Sequence, residues 1–314
     1  MRIPSLVTRR RIEGISAVLL PFDDAGEIDW AGFRTLVERT WAAGLTPAVN
    51  MDTGYVNLLS AAERARVLAD TAALAAGRRF VAGAFIEGEA GDPVPLYRRE
   101  IEAIRLHGGL PIVFQSTGLT RGGEAATLDI YTRIGEMGGP LLAFELGTMF
   151  APFGRIYSID CFRRLLDIEA FTGLKHSSLD RACEWDRLAI RDAHRPDFRV
   201  YTGNDLAIDM VFYGSDYLLG LSAFAVEAFA LRDRCWEAGD RRAFAVNDVL
   251  QYLGQLAFRA PVPAYKHSAA QFLKLRGVIA SDRPHPKGGT RPDADIPLLA
   301  DIRDRLDRAF AGAD

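Results

Sequence analysis

The stretch Phe171-Thr-Gly-Leu-Lys-His-Ser-Ser178 joins an apolar run to a polar turn, and Lys175 stands where the one changes into the other. Lysine is rare in this chain, because only four of its 38 basic residues are lysines and the rest are arginines. Arginine keeps its proton at physiological pH, whereas a lysine desolvated at a strand end can lose its proton and attack a carbonyl. Lys175 is therefore a candidate reactive amine. The alternative is a surface ammonium in a sequence whose codon usage favours arginine.

Short apolar runs alternate with longer helical patterns on both sides of this stretch, with a period of roughly 25 to 35 residues that is typical of βα units around a parallel sheet. Eight runs are predicted as strands, at residues 15–20, 46–50, 80–85, 110–115, 140–146, 171–175, 198–201 and 216–219. The chain has 314 residues, and one closed barrel commonly takes about 250. We therefore predict a (β/α)8 TIM barrel over residues 1–230 and a C-terminal helical extension over 231–314, packed on the barrel.

Capping residues indicate where the first helices begin and end. Asp29 is a good N-cap for the first helix, and Ser60-Ala-Ala-Glu63 has the form of a capping box for the second. Gly44 and Gly77 follow the two apolar stripes, as C-capping glycines often do. Beyond the eighth unit, helical patterns cover residues 223–237, 241–258, 264–275 and 298–310. The Pro/Gly-rich stretch 283–297 is predicted to be a loop or flexible tether.

Composition and charge exclude several classes of protein. A formal net charge of -3 gives no reason to expect a nucleic-acid partner. The cysteines are odd in number and widely spaced, which argues against a disulfide framework and a structural zinc site: Cys161, Cys183 and Cys235. The apolar run at 15–20 is too short for a secretory signal or a membrane span. We expect a cytoplasmic protein that acts on a small molecule.

Several motifs along the chain occur in a characteristic order: Gly14-Ile-Ser-Ala-Val-Leu-Leu-Pro-Phe22, Asp52-Thr-Gly54, Phe80-Val-Ala-Gly-Ala84, Gly173-Leu-Lys-His-Ser-Ser178, Thr202-Gly-Asn-Asp205 and Ala264-Tyr-Lys-His267. Each is weak alone. In this order and spacing they resemble the class I pyruvate-aldolase-like, Schiff-base-forming lyases typified by dihydrodipicolinate synthase and N-acetylneuraminate lyase. The resemblance covers about residues 14–279 and is that of a divergent member.

The resemblance implies a role for Lys175 at the end of the sixth strand, on the carboxyl face where barrel enzymes place their chemistry. An ammonium among apolar walls loses hydration, so its pKa falls and the neutral amine can add to a ketone. The resulting iminium stabilises a carbanion when a neighbouring bond breaks or forms. The implied activity is a lyase acting on pyruvate or another 2-oxo acid, without metal or cofactor, in a homo-oligomer (tetramer or dimer). Alternatives are a dehydratase of a sugar-derived 2-oxo acid by the same imine chemistry, and a ligand-binding or regulatory barrel without turnover.

The same resemblance implies a substrate-binding loop at Asp52, Thr53 and Gly54, which would hold the carboxylate of the 2-oxo acid. An ionised Asp52 would repel that carboxylate, so the alternative for Asp52 is a turn residue that closes the loop. Gly203 is predicted to let the backbone approach the ligand. Asn204 is predicted to lie in the same substrate-binding turn, and either it or its neighbour Asp205 caps the following helix.

Proton transfer is where the chain departs from the family, because its relatives carry tyrosines in a Tyr-Asn-x-Pro segment of strand five and a Pro-Tyr-Tyr segment after strand four. Neither segment is present here. Glu145 is the predicted replacement acid/base, with a pKa raised by burial, although a one-residue slip would put Phe144 in its place. The alternative for Glu145 is an ion pair with an arginine such as Arg155. Arg155 is itself predicted to clamp an acidic substrate tail, or else to be a solvated loop residue. His176 is expected to face away from Lys175.

Overall fold

The computed structural model describes residues 4–311, which include a closed barrel of eight parallel strands paired in sequence order. The last strand pairs with the first and closes the ring. The predicted (β/α)8 TIM barrel is confirmed, and the predicted strand ends differ from the observed ones by at most three residues. The strands are β1 Gly14–Ala17, β2 Thr46–Val49, β3 Val81–Ala84, β4 Leu110–Val113, β5 Leu141–Leu146, β6 Phe171–Ser177, β7 Arg199–Thr202 and β8 Asp216–Leu219.

Helices follow the strands, and the capping residues of the first two are confirmed. The Asp29 carboxylate accepts the backbone N–H of Gly32 at 2.8 Å, and Ser60 and Glu63 form a reciprocal capping box. The helices are α1 Trp30–Ala42, α2 Ala61–Ala75, α3 Pro93–Leu106, α4 Thr117–Thr120, α5 Gly123–Gly135, α6 Ile159–Leu166, α7 Arg181–His194, α8 Val226–Ala238, α9 Arg242–Ala257, α10 Tyr265–Leu275 and α11 Ile296–Ala311. Among residues 4–311, none of these helices combines the length and the apolar character needed to cross a bilayer.

Two apolar cores lie on opposite sides of the strands, and the alternation of side chains decides which residue enters which core. On β5, Leu142, Phe144 and Leu146 belong to the core inside the barrel, whereas Leu141 and Ala143 belong to the core between strands and helices. Glu145 therefore lies on the helix side. This parity along β5, and the matching parity along β6, determines what surrounds Lys175.

The C-terminal helices cover one side of the barrel and reach its carboxyl end. Helix α8 runs continuously across the predicted boundary between residues 230 and 231. The segment between α10 and α11 crosses the loops that follow β1 and β2. There Ser281 donates a hydrogen bond to Asp24 at 2.7 Å, and the ring of His285 packs against Phe22 and Tyr55. The first residues of α10 also reach the barrel mouth, where Tyr265 and Lys266 contact Asp52.

Candidate active site

Lys175 points into the barrel near the carboxyl end of β6, between Phe144 of β5 and Tyr201 of β7. Only 8% of the residue is exposed, and its ammonium lies 4.5 Å from the centre of the Phe144 ring. Burial lowers the pKa of Lys175 to about 8, against the opposing pull of the negative charges of Asp205 and Asp52. At neutral pH a fraction of the protein molecules thus carry Lys175 as an uncharged amine, which is the form that acts as the nucleophile in imine chemistry.

Asp205 is a buried carboxyl that shares the mouth of the barrel with Lys175. It follows β7, is 5% exposed, and its Oδ1 accepts the backbone N–H of Leu221 at 2.8 Å. Burial raises the pKa of Asp205 to about 7, although the Leu221 N–H and the charge of Lys175 both oppose the rise. A carboxyl group with this pKa can both give and take a proton near neutral pH.

Asp52, Thr53 and Gly54 form a short 3-10 turn after β2, and two residues of α10 bind it. The Lys266 ammonium lies 2.9 Å from one Asp52 oxygen, and the Tyr265 hydroxyl donates to the other at 3.0 Å. Tyr265 also lies 2.8 Å from the Thr53 hydroxyl. Asp52 is therefore neither a simple turn residue nor an unpaired charge that would repel a substrate carboxylate.

The glycines of the site leave room for the side chains and backbone packed against them. A Cβ on Gly203 would lie 2.8 Å from Cε of Lys175, and a Cβ on Gly220, after β8, would lie 3.1 Å from the Thr53 hydroxyl. Gly54 is buried, and a Cβ there would lie 3.4 Å from the carbonyl oxygen of Val18. The predicted role of Gly203, close backbone approach at the ligand, stays a prediction.

Glu145 lies outside the barrel wall, so the structure corrects its predicted role as an acid/base at Lys175. Its carboxylate accepts hydrogen bonds from His176 at 2.6 Å, from Arg187 of α7 at 2.5 and 3.0 Å, and from the backbone N–H of Tyr157 at 2.7 Å. Burial alone would raise the pKa of Glu145, but His176 and Arg187 together hold it down to about 2. The prediction of a raised pKa is wrong, and the arginine that pairs with Glu145 is Arg187 rather than Arg155.

His176 alternates with Lys175 and faces the helices, as expected. Burial would lower the pKa of His176, but the Glu145 carboxylate raises it to about 9, so the imidazole is held as a cation. Its other ring nitrogen lies 2.6 Å from the Ser178 hydroxyl. His176 thus fastens the end of β6 to β5.

Asn204 follows β7 and is bonded to α7 rather than directed into the barrel, which corrects its prediction as a substrate-binding residue. Its amide nitrogen donates to Glu184 of α7 at 2.6 Å, and its amide oxygen accepts the backbone N–H of Leu179 at 2.6 Å. The residue is fully buried. Its neighbour Asp205, which the sequence analysis treated as a possible cap, is the one that faces the mouth.

Arg155 lies in the loop after β5 and is exposed. Two hydrogen bonds tie its backbone to the side chain of Gln115, which follows β4, each at 2.9 Å. The guanidinium donates to the carbonyl of Gly154 at 2.8 Å. The structure therefore places Arg155 on a loop at the carboxyl end of the barrel, and its role as a clamp for an acidic substrate stays a prediction.

Three residues of this cluster were missed by sequence reasoning as parts of the site: Asp205, Tyr265 and Lys266. A signal was available for Lys266, since it shares with Lys175 the rarity of lysine in this chain. No comparable feature of the sequence indicates that Tyr265 or Asp205 belongs to the site. The assembled groups are the Lys175 amine, the Asp205 carboxyl group with a pKa near 7, and the Asp52 carboxylate. Asp52 is hydrogen-bonded to Tyr265 and Lys266. Over residues 4–311 no group of three or more His, Cys, Asp or Glu side chains is placed to hold a metal ion.

Solved structures of dihydrodipicolinate synthases share this fold. The enzyme of Thermotoga maritima is 17% identical over 95% of this chain and 99% of its own, with a TM-score of 0.80. The enzyme of Acinetobacter baumannii, complexed with pyruvate, is 20% identical over 95% of this chain and 99% of its own, with a TM-score of 0.76. YagE of E. coli K12, a member of the same family in complex with pyruvate, is 17% identical over 96% of this chain and 99% of its own, with a TM-score of 0.79.

These comparisons confirm the resemblance read from the motifs, at the level of the fold. No curated protein matches the sequence. One family model matches residues 17–283, which is well over half of the chain. The chain belongs to the family described as Protein of unknown function (DUF993).

Proposed function

We propose that the protein is a class I aldolase-type lyase in which Lys175 forms an imine with pyruvate or another 2-oxo acid. The observation that carries the proposal is a buried lysine at the carboxyl end of a barrel strand, with an aromatic ring at 4.5 Å and a pKa lowered to about 8. A dihydrodipicolinate synthase and YagE, a protein of the same family, have this fold and were solved in complex with pyruvate, which supports the choice of substrate class.

The chemistry begins when the neutral amine of Lys175 attacks the C2 carbonyl of the acid. Loss of water leaves an iminium, which draws electrons from a bond to C3 and becomes an enamine. Protonation of C3 and hydrolysis then release the product and restore the amine. Asp205 is the group proposed to move the proton at C3, in place of Glu145, because it is buried beside Lys175 with a pKa of about 7.

Binding of an anionic substrate depends on the charges around Lys175. Asp52 alone would oppose a carboxylate, but Lys266 at 2.9 Å offsets its charge. Thr53 and Gly54 stay proposed parts of the substrate-binding turn, and Arg155 stays the proposed contact for an acidic tail. A homo-oligomer and a cytoplasmic location are kept as predictions from the resemblance.

Reductive trapping tests the proposal. Pyruvate and borohydride should leave a reduced adduct on the peptide that contains Lys175, measured by mass spectrometry. Lys175→Arg should abolish the adduct, whereas Lys274→Arg, at an exposed lysine paired with Asp282, should leave it unchanged. Absence of an adduct with pyruvate and with longer 2-oxo acids would contradict imine chemistry. An adduct without turnover of any 2-oxo acid would instead favour a ligand-binding barrel.

A further inference from the structure

A cavity of about 380 Å³ lies at the amino-terminal end of the barrel, opposite the end that holds Lys175. Its lining comes from residues that precede or begin the strands β1, β2, β3 and β7. Ligand pockets in proteins measure about 300–1,000 Å³, so a cavity of this size suits a small molecule. The polar residues of the lining are Arg11, Glu13, Thr46, Arg79 and Arg199. A second cavity on the same face, of about 330 Å³, is lined by Arg79 and Arg105.

Positive charge is concentrated around these two cavities. Arg10 and Arg199 share the carboxylate of Asp216, each at 3.0 Å, and Arg79 pairs with Glu13 at 2.5 Å. Five guanidinium groups thus face two carboxylates, although the chain as a whole has a formal net charge of -3. Such an excess creates a local positive potential that attracts anions. The five residues are Arg10, Arg11, Arg79, Arg105 and Arg199.

Two of these arginines form no ion pair within residues 4–311. Arg11 is exposed and lines the larger cavity. Arg105 donates to two backbone carbonyl oxygens, which do not neutralise its charge. Arg79 and Arg199 do have carboxylate partners, but both side chains are 50% exposed, and a guanidinium carries five N–H donors. N–H groups therefore remain available to a ligand after the ion pairs have formed.

The amino-terminal face of a TIM barrel usually contributes to stability, and part of this cluster does so. Asp216 accepts the backbone N–H of Glu13 at 2.9 Å, and Glu13 accepts the hydroxyl of Tyr201 at 3.1 Å. These bonds fasten the starts of β1 and β8 to β7. Stability does not account for Arg11, because its charge adds repulsion to a cluster that already holds more cations than anions.

Tyr201 separates the cavity from Lys175. Lys175 and Tyr201 are paired in register on β6 and β7, and both side chains lie inside the barrel. The Tyr201 ring runs toward the amino-terminal end, because a Cβ on Gly173 would lie 2.8 Å from it and its hydroxyl reaches Glu13. Tyr201 is only 1% exposed. A ligand in the cavity is therefore kept apart from the amine of Lys175.

We propose that the larger cavity binds a small dianion, a phosphate ester or a dicarboxylate, between the guanidinium groups of Arg11, Arg79 and Arg199. Guanidinium groups bind both phosphate and carboxylate oxygens through paired hydrogen bonds. A ligand with two negative charges offsets more of the excess positive charge than a monoanion does. The site does not depend on the imine chemistry proposed above, since Lys175 is not part of its lining.

Isothermal titration calorimetry on the full chain tests the site. The probes are inorganic phosphate, glycerol 3-phosphate and succinate, with acetate as the monoanion control. Arg11→Gln removes a charge that has no ion pair. Arg199→Gln removes a second guanidinium of the lining, while Arg10 still pairs with Asp216. Circular dichroism checks that each variant is folded.

Two further variants are controls. Arg34→Gln removes an arginine of similar exposure, 45% against 50% for Arg199, which pairs with Asp70 and does not line the cavity. Lys175→Arg tests whether a probe binds at the barrel mouth instead. Both controls should bind the dianions as the wild type does.

Support for the site requires saturable binding of glycerol 3-phosphate or succinate that is at least about tenfold tighter than binding of acetate. Arg11→Gln and Arg199→Gln should each weaken it about tenfold or more, as expected for the loss of a charge-assisted hydrogen bond. Tighter binding of the two phosphate probes identifies a phosphate ligand, and tighter binding of succinate identifies a dicarboxylate. Unchanged binding by Arg11→Gln, equal binding of acetate, or loss of binding in Lys175→Arg overturns the site. Failure of every dianion to bind at concentrations up to about 1 mM overturns it as well.

Discussion

Glu145→Gln is expected to destabilise the fold strongly while leaving the chemistry at Lys175 in place. The substitution keeps the shape of the side chain but removes the charge that faces Arg187 and His176, both of which are at most 1% exposed. It also puts an amide N–H₂ group among four donors that now bind carboxylate oxygens. Arg187 then stays buried without a counter-charge.

The magnitude can be worked out in two ways. Removing one partner of a buried ion pair typically costs about 3–5 kcal/mol. A carboxyl whose pKa lies at about 2 instead of its ordinary value contributes about 3 kcal/mol at neutral pH, since one pH unit is worth about 1.4 kcal/mol. Both routes measure the same interactions, so they are not added. We expect the free energy of unfolding at pH 7 to fall by about 3–5 kcal/mol.

The pH dependence gives the prediction a second signature. Because the pKa of Glu145 is lowered, its contribution is present above the ordinary value of an unfolded glutamate and is lost as the pH falls toward 2. Because the pKa of His176 is raised to about 9, its contribution is complete below about pH 6.5 and is lost as the pH rises through 9. Without the Glu145 charge the imidazole loses its anionic partner, so the decline above pH 6.5 should largely vanish.

Urea unfolding followed by circular dichroism, at several pH values, measures these effects. The control is Glu38→Gln, which breaks the bidentate pair with Arg78 on the surface, where both side chains are more than 40% exposed. That loss should be much smaller, because solvent screens exposed pairs. The rate of borohydride trapping on Lys175 should stay within about threefold of the wild-type rate, well below the tenfold that 1.4 kcal/mol would give. An unfolding free energy that falls by less than about 1 kcal/mol, or a trapping rate that falls tenfold in a folded variant, would refute the reasoning.

Three further outcomes follow from the surroundings of Lys175. The rate of imine formation should rise with pH and level off above about 8, because the Lys175 amine must be neutral and burial lowers its pKa to that value. Stopped-flow or quench trapping across pH 6 to 10 measures this rate. A midpoint near 10.5, the ordinary pKa of lysine, would contradict the prediction. Asp205→Asn should keep the pyruvate adduct but slow deuterium exchange at C3 by about 10²-fold or more in D₂O, as followed by NMR; unchanged exchange would remove Asp205 from proton transfer. Gly203→Ala should reduce trapping at least tenfold, because the new Cβ would lie 2.0 Å from the Ser177 hydroxyl and 2.8 Å from Cε of Lys175, so both side chains would have to shift. An adduct formed at the wild-type rate would contradict this expectation.

The fold was predictable because its signals are local. The eight strands are short apolar runs, and the caps at Asp29 and Ser60 need only their own helices to form. The place of Lys175 near the carboxyl end of β6 was predictable for a similar reason, since an apolar run meets a polar turn there, and its catalytic role stays a prediction.

The partners within the site were not predictable, because they depend on parity and on distant pairing. A shift of one residue exchanges the directions of Phe144 and Glu145, and the prediction wrongly directed Glu145 into the barrel. One residue also separates Asn204 from Asp205, and the prediction wrongly placed Asn204, rather than Asp205, at the barrel mouth. The bond between Asp52 and Lys266 joins residues 214 positions apart, and nothing near either residue indicates the other. Glu145 illustrates the physical cause: a buried carboxylate has a raised pKa only without cationic partners, and Arg187 comes from a helix 42 residues further along.

The contribution of α10 to the barrel mouth also bears on the biosynthesis of the protein. Asp52 leaves the ribosome more than two hundred residues before the lysine that neutralises it. A nascent chain that has completed all eight strands already possesses the amine, yet it holds an anion at the rim with no counter-ion. The charge pair at the barrel mouth therefore forms only after α10 has been synthesised, and a change confined to α10 would alter the charges there while leaving every strand untouched.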